Sequence, residues 1–274
     1  MINQQNQAAK ADIFRSQHHS GKILILPNIW DALGARLIKK IGFPSVATAS
    51  VSTAISNGYR DGENIPFPLL LKTVGKIATA VDLPLTVDME RGFAETVPQL
   101  KDHIRLLIEN GAVGINIEDS LPDKSGLYPL DDQCRKIEAI RETGIQYGVP
   151  IVINARTDVF VLKMPGALTL AIERGKAFRK AGADCMYPIL MSDYEDISRF
   201  LAAVPGPMNV VLQKPVSDIG RLEKAGVARL SLGPNFLNHA LAAMKKVAEG
   251  LLKKDSAAFF ESELLPRSYL DELI

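Results

Sequence analysis

The sequence predicts an α/β fold of the (β/α)8 barrel (TIM barrel) type, with an N-terminal helix and a C-terminal helical extension. Three observations carry that expectation. Eight short apolar runs recur along the chain, at residues 23–26, 45–49, 85–89, 114–118, 151–155, 184–189, 208–213 and 228–232. They are continuous rather than alternating, as parallel strands covered by helices should be. Helical patterns separate them, and four close on a glycine, at Gly42, Gly111, Gly182 and Gly226. Glycine there supplies the left-handed residue that ends a helix before the chain returns to the sheet. Finally, a doubly wound open sheet would place a glycine-rich turn after the first strand. The stretch Pro27-Asn-Ile-Trp-Asp31 has no such turn.

Length and composition agree. A chain of 274 residues suits a single barrel, so one domain over residues 1–274 is expected, with 237–274 as the extension. The hydrophobic share of 47% and charged share of 23% are those of a soluble globular protein. A net charge of +1 argues against nucleic acid or a membrane surface as the main partner. No run reaches the roughly 18 apolar residues of a membrane helix, and the polar N-terminus has no signal-peptide core. Two cysteines, Cys134 and Cys185, are too few for a disulfide framework and lack metal-ligand spacing. The expected compartment is the cytoplasm.

In chain order, a helix over 8–17 precedes the first strand. Asp31 is placed to cap a helix over 32–40 that ends at Gly42. The second strand runs into the hydroxyl-rich Thr48-Ala-Ser-Val-Ser-Thr53, and the loop beyond holds Arg60 and Asp61. The third ends in Asp88 and Glu90, which strand alternation puts on one side. The fourth ends in Glu118 and Asp119, the fifth in Arg156 and Asp158, the sixth in Tyr187. The seventh offers Gln213 and Lys214, and the eighth Ser231 and Gly233. Beyond it, an amphipathic helix over 237–252 leads to a tail with Phe259, Phe260, Leu264 and Leu265. A tail this apolar needs cover, from its own barrel or from a second subunit.

Barrel enzymes keep their chemistry at the carboxyl ends of the strands. Acids clustered there are poor core material and call for a cation or a reaction. Asp88, Glu90 and Glu118 are hard oxygen donors and favour Mg2+, or Mn2+. None of the four histidines stands at such a position, which argues against zinc. Arg156 would suit an anionic substrate through its two-pronged fork. A single acid at a strand end more often caps a helix or pairs with a base, so the weight rests on the combination. Asp119 reads equally as a cap or as a side chain supporting its neighbours, and Asp158 as a partner of Arg156 or a cap. Cys185 reads as a small core residue.

The motifs Val87-Asp-Met-Glu-Arg-Gly-Phe93, Ile117-Glu-Asp119 and Asn154-Ala-Arg-Thr-Asp158 resemble those of the isocitrate lyase/phosphoenolpyruvate mutase superfamily. The resemblance spans roughly residues 20–250. It implies a (β/α)8 barrel that exchanges its last helix with a neighbour in a dimer of dimers, with Mg2+ and 2-oxo acid chemistry through an enolate. It implies that Asp88, Glu90 and Glu118 hold the metal and that Arg156 grips substrate. Thr48, Ala49 and Ser50 would form a backbone cradle for the substrate carboxylate, and Asp61 would be the active-site acid after the second strand.

The departures concern the reaction. Isocitrate and methylisocitrate lyases carry a catalytic Cys in the loop after the fourth strand; here that loop reads Ser120-Leu-Pro-Asp-Lys-Ser-Gly-Leu-Tyr-Pro129. Lys124 stands where mutases carry a gating Lys, and it also reads as a solvated loop cation. Tyr187-Pro188 replaces the mutase His. Lys124, Tyr187 and a metal-bound water are the candidates for acid and base. The expected function is a Mg2+-dependent lyase that cleaves a C–C bond of a small 2-oxo or 2-hydroxy acid, oxaloacetate- or methylisocitrate-like. Phosphonomutase or phosphonopyruvate hydrolase chemistry, and a non-catalytic metabolite-binding barrel, are the alternatives.

Overall fold

The computed structural model describes residues 4–261 and 264–274. The helix α1 (Gln4–Gln17) leads into β1 (Leu24–Leu26), β2 (Asn28–Ile29), α2 (Ala32–Ile41), β3 (Val46–Thr48), α3 (Ser50–Ser56) and α4 (Phe67–Ala80). Next come β4 (Leu85–Asp88), α5 (Val97–Glu109), β5 (Gly114–Ile117), α6 (Leu130–Gln146), β6 (Val152–Thr157) and α7 (Ala167–Lys180). The barrel ends with β7 (Cys185–Pro188), α8 (Tyr194–Ala203), β8 (Asn209–Val211), α9 (Ile219–Lys224) and β9 (Arg229–Ser231). The tail adds α10 (Asn235–Leu252), α11 (Ala257–Glu261) and α12 (Arg267–Asp271).

The strands pair in parallel, β2 to β7 in sequence order and β1 with β9 and β8 in a second run. The two runs make one ring, because β2 carries β1 on across Pro27, beyond the first strand expected at 23–26, and a parallel bridge between Met186 and Met208 joins β7 to β8. The (β/α)8 barrel is therefore the observed fold, with nine strand segments among the described residues where eight strands were expected. Pro27 makes the break: it has no N–H for the ladder, although its carbonyl accepts from Ala47 N at 3.0 Å. Asn28 closes the seam. Its Nδ2 donates to Thr48 O at 2.7 Å, and its Oδ1 accepts from Leu232 N and Gly233 N at 2.8 and 3.1 Å.

The core lies mostly between strands and helices. Val87, Ile115 and Ile153 stand side by side in register and are fully buried. Period two then turns their neighbours Asp88, Asn116 and Asn154 into the bore. At the amino end, Phe14 of α1 packs so closely on Gly114 that a Cβ there would lie 2.7 Å from its ring. Asp31 caps α2 by accepting from Gly34 N at 2.7 Å, and Gly42 ends it at φ 105°, as its sequence predicts.

The tail divides in two. Its last residues return to the same chain, where Arg36 Nη1 donates to Leu273 O and Ile274 O at 2.8 Å each and Lys40 pairs with Glu272. Of the two covers expected for the tail, its own barrel or a second subunit, these last residues take the first, held by two bases on α2. By contrast, α10 and α11 expose Met244, Leu252 and Phe260. Among the described residues, no helix is long and apolar enough to cross a membrane.

Candidate active site

A cavity of about 240 Å3 opens at the carboxyl ends of the strands. Its lining includes Thr48, Ala49, Ser50, Asp61, Asp88, Arg156 and Tyr187, all expected from the sequence to form the site. Three other expected residues, Glu90, Glu118 and Lys124, stand outside that lining. Trp30 and Asp31 line a separate hollow with the end of α3 at Ser56 and the middle of α4 at Thr73 and Lys76.

Asp88, the last residue of β4, is held from three sides. Its Oδ2 accepts from Ser50 N at 3.0 Å, and its Oδ1 accepts from Asn116 Nδ2 at 3.0 Å. Its own N–H donates to Thr48 Oγ1 at 2.9 Å. The Ser50 N–H, expected to cradle a substrate carboxylate, is here engaged by Asp88. Behind this wall, Arg156 Nη1 lies 2.8 Å from Glu118 Oε2. Arg156 also forks onto Asp158, with Nε and Nη2 at 2.6 and 3.0 Å from its two oxygens. Burial opposes the guanidinium's charge, but Glu118 and Asp158 hold it protonated above its usual range.

Glu90 does not continue the alternation. The strand ends at Asp88, and Glu90 sits at φ 45° in the following turn, where its Oε1 accepts from Glu63 N at 2.8 Å. Glu63 in turn pairs with Arg91 at 3.0 Å and fixes the loop backbone at Arg91 and Phe93. Burial, then the charges of Asp61 and Asp88, push the Glu90 carboxyl up to about 8. Burial also pushes Glu118 up to about 7, with Asp158 and Asp88 adding to it and Arg156 and Arg91 opposing.

These acids suit a magnesium site in their chemistry. The donors are all hard oxygens, and around Glu90 the carboxylates of Asp61 and Asp88 place negative charge that a divalent cation would offset. Among the described residues, no three His, Cys, Asp or Glu side chains already converge as a cage. Mg2+ does not require one, since it binds through one or two carboxylates and keeps several waters. Asp88 is the one of these three acids that lines the cavity, and Glu118 and Glu90 stand outside that lining.

Asp119 is a brace. It is fully buried, accepts from Asp158 N at 2.9 Å and from Arg174 Nε at 2.6 Å, and Arg174 Nη2 donates to Tyr128 O at 2.9 Å. It thereby ties the ends of β5 and β6 to α7. The loop after it folds as a small hairpin, with Ser120 bridged to Leu127 and Leu121 N donating to Gly126 O at 2.8 Å. Lys124 occupies its exposed tip at φ 56°. Neither cysteine lines the cavity: Cys134 is on α6, and burial pushes the Cys185 thiol up to about 12. Tyr187 does line it, with its phenol held above the usual value by burial.

Sequence reasoning passed over Asn116, Asn154 and Arg229. The available signal was a polar residue at an inward position of an apolar strand, as in Ile115-Asn-Ile117 and Ala228-Arg-Leu230.

The phosphoenolpyruvate phosphomutase family model matches residues 14–252. A 2-methylisocitrate lyase from Bacillus subtilis (strain 168) is 28% identical over 212 residues, covering 75% of this chain and 68% of that protein. Among solved structures, a presumed lyase/mutase from Burkholderia cenocepacia J2315 superposes with a TM-score of 0.90 at 31% identity, over 97% of this chain and 96% of that one. Phosphonopyruvate hydrolase complexed with oxalate and Mg2+ superposes with a TM-score of 0.84 over 96% of this chain and 94% of its own; at 21% identity that likeness speaks for the fold.

Proposed function

The chain belongs to the phosphoenolpyruvate phosphomutase family, and from that premise we propose that it is a Mg2+-dependent lyase cleaving a C–C bond of a small 2-oxo or 2-hydroxy carboxylic acid. The observation that carries this reading is the placement of Asp88 and Arg156 in one cavity wall, with Glu118 ion-paired to Arg156 behind it. Asp88 would hold the metal, with Glu118 and Glu90 supporting it through water. Bound there, Mg2+ supplies a Lewis acid for the negative charge that builds as the bond breaks.

The chain's own residues do the rest. Ser50 N–H and Asn116 aim the Asp88 carboxylate. Asp158 and Glu118 occupy three of the five Arg156 N–H groups, which orients the fork and leaves two for substrate. In a 2-oxo acid such as oxaloacetate, the bond to the distal carboxylate breaks, CO2 leaves, and the electron pair stays on the carbon beside the oxo group. Tyr187, kept protonated by burial, is the phenol in the cavity lining that would return a proton to that carbon and be recharged from solvent. Lys124 would close over the mouth with its hairpin when substrate binds, excluding water.

Turnover of oxaloacetate, methylisocitrate and phosphonopyruvate, with Mg2+ and with chelator, tests the reading. We expect C–C cleavage that disappears with chelator and in Asp88→Ala, and a lowered kcat/KM in Lys124→Ala. Turnover indifferent to both chelator and Asp88→Ala would sink the metal-dependent mechanism. The hairpin favours one second reading, because it carries a lysine and no cysteine. Cleavage of phosphonopyruvate alone would move the assignment to C–P chemistry, and tight binding without turnover to a metabolite-binding barrel.

A further inference from the structure

The two arginines that line the cavity differ sharply in their partners. Arg156 is matched by Asp158 and Glu118. Arg229 reaches the cavity from β9 and is 3% exposed, yet its Nε and Nη1 meet no acceptor among the described residues.

Such a group is costly, because an unpaired guanidinium taken out of water loses its hydration without compensation. Its surroundings bring little relief. The Cys185 thiol and Tyr187 phenol nearby are both held neutral by burial. Asp88 is the acid that acts on it, and its oxygens already accept from Ser50 and Asn116. Burial weakens the hold of Arg229 on its proton, but a guanidinium remains charged in proteins. A fixed cation with three idle N–H groups, one on Nε and two on Nη1, therefore borders the space where the substrate is expected.

We infer that Arg229 binds a carboxylate of the substrate directly, as an anion-binding residue at the wall of the mouth cavity distinct from Arg156. Its planar fork matches the two oxygens of a carboxylate. The ligand then supplies the counter-charge that the fold withholds, which turns an unfavourable burial into binding energy. This inference rests on reading the cavity as the substrate site, but not on the metal or on turnover.

The test is calorimetric titration of the full chain with oxalate, in chelator and again with Mg2+, for wild type, Arg229→Met and Arg229→Lys. In chelator, Arg229→Met should bind oxalate about 30-fold more weakly or worse, with Arg229→Lys in between. Without ligand, Arg229→Met should melt at the wild-type temperature or above it, since it removes an unpaired buried charge. Oxalate affinity within twofold of wild type in Arg229→Met would overturn the inference. So would a lowered melting point shared by both variants, which would make the guanidinium structural. Inorganic phosphate bound more tightly than oxalate through Arg229 would overturn the carboxylate assignment. Asp88→Ala keeps the two readings apart. It should abolish the gain in oxalate affinity that Mg2+ brings while leaving the chelator-resistant binding at Arg229 in place.

Discussion

Asn116 Nδ2 lies 3.0 Å from Asp88 Oδ1, and Asn116 Oδ1 accepts from Asn154 Nδ2 at 2.6 Å. The three residues are cross-strand partners on β4, β5 and β6. Two amides thus form a relay across the bore that sets the direction of the carboxylate expected to hold the metal. Asn116→Ala should remove both bonds at once. It should cost about 1–3 kcal/mol in urea unfolding and weaken Mg2+ binding about 10–100-fold in titrations. Unchanged metal affinity would confine the relay to structure.

The Asp119–Arg174 pair is buried and shares its atoms with the backbone at Asp158 and Tyr128. Removing one partner strands a buried charge. Asp119→Ala should therefore destabilise the fold by about 3–5 kcal/mol, and adding Arg174→Met should recover part of that loss. Denaturant titration of the two single variants and the double variant measures the coupling.

His18 gives a pH dependence with a definite sign. Burial, then the Arg229 charge, lowers its pKa from 6.5 to about 4, while its Nδ1 faces Phe14 O at 2.8 Å. The folded form keeps the ring neutral, whereas the unfolded chain takes up a proton near 6.5. Its contribution is fully present above 6.5 and falls as the pH drops toward 4, by roughly 3 kcal/mol in all. His18→Gln should flatten that part of the stability curve between pH 6.5 and 4.

Catalysis without cysteine can be checked directly. Cys185 is buried with a raised thiol, and Cys134 lies on α6 away from the cavity. The double variant Cys134→Ser with Cys185→Ala should keep turnover within about twofold, since neither sulfur reaches substrate. A loss of a hundredfold or more in a well-folded double variant would restore a thiol to the mechanism.

The exposed Met244, Leu252 and Phe260 on α10 and α11 are the surface on which the helix exchange implied by the family resemblance would act. Wild type should elute above the mass of one chain. Leu252→Asp combined with Phe260→Asp should shift it toward the monomer, because each charge would have to be desolvated in an apolar interface. A wild-type monomer in light scattering would end that expectation.

Much of the barrel could be read in the chain because its determinants are local. Apolar strand runs, the Asp31 cap and the Gly42 stop depend on neighbours a few residues away, and the structure has them where the sequence put them. The strand-end charges were legible for the same reason: Asp88, Glu118 and Arg156 follow directly from where apolar runs stop. Glu90 was misplaced by that logic, since alternation holds only while the strand lasts and its φ turns positive just beyond Asp88. Lys124 could be assigned to a loop but not to the exposed tip of a hairpin.

What the sequence determined by itself was the repeating strand–helix plan and the kinds of groups available at the mouth. Which group meets which was decided by the closed ring. Asp119 became the buried partner of Arg174, 55 residues away. Ser50 N–H was given to Asp88, and Arg229 Nε and Nη1 were left without an acceptor among the described residues. Those outcomes depend on strands distant in sequence being brought together and water being excluded between them. Local periodicity carries no record of that, and it is the tertiary structure that makes Arg229, unremarkable as a residue in the chain, the unpaired cation in the cavity.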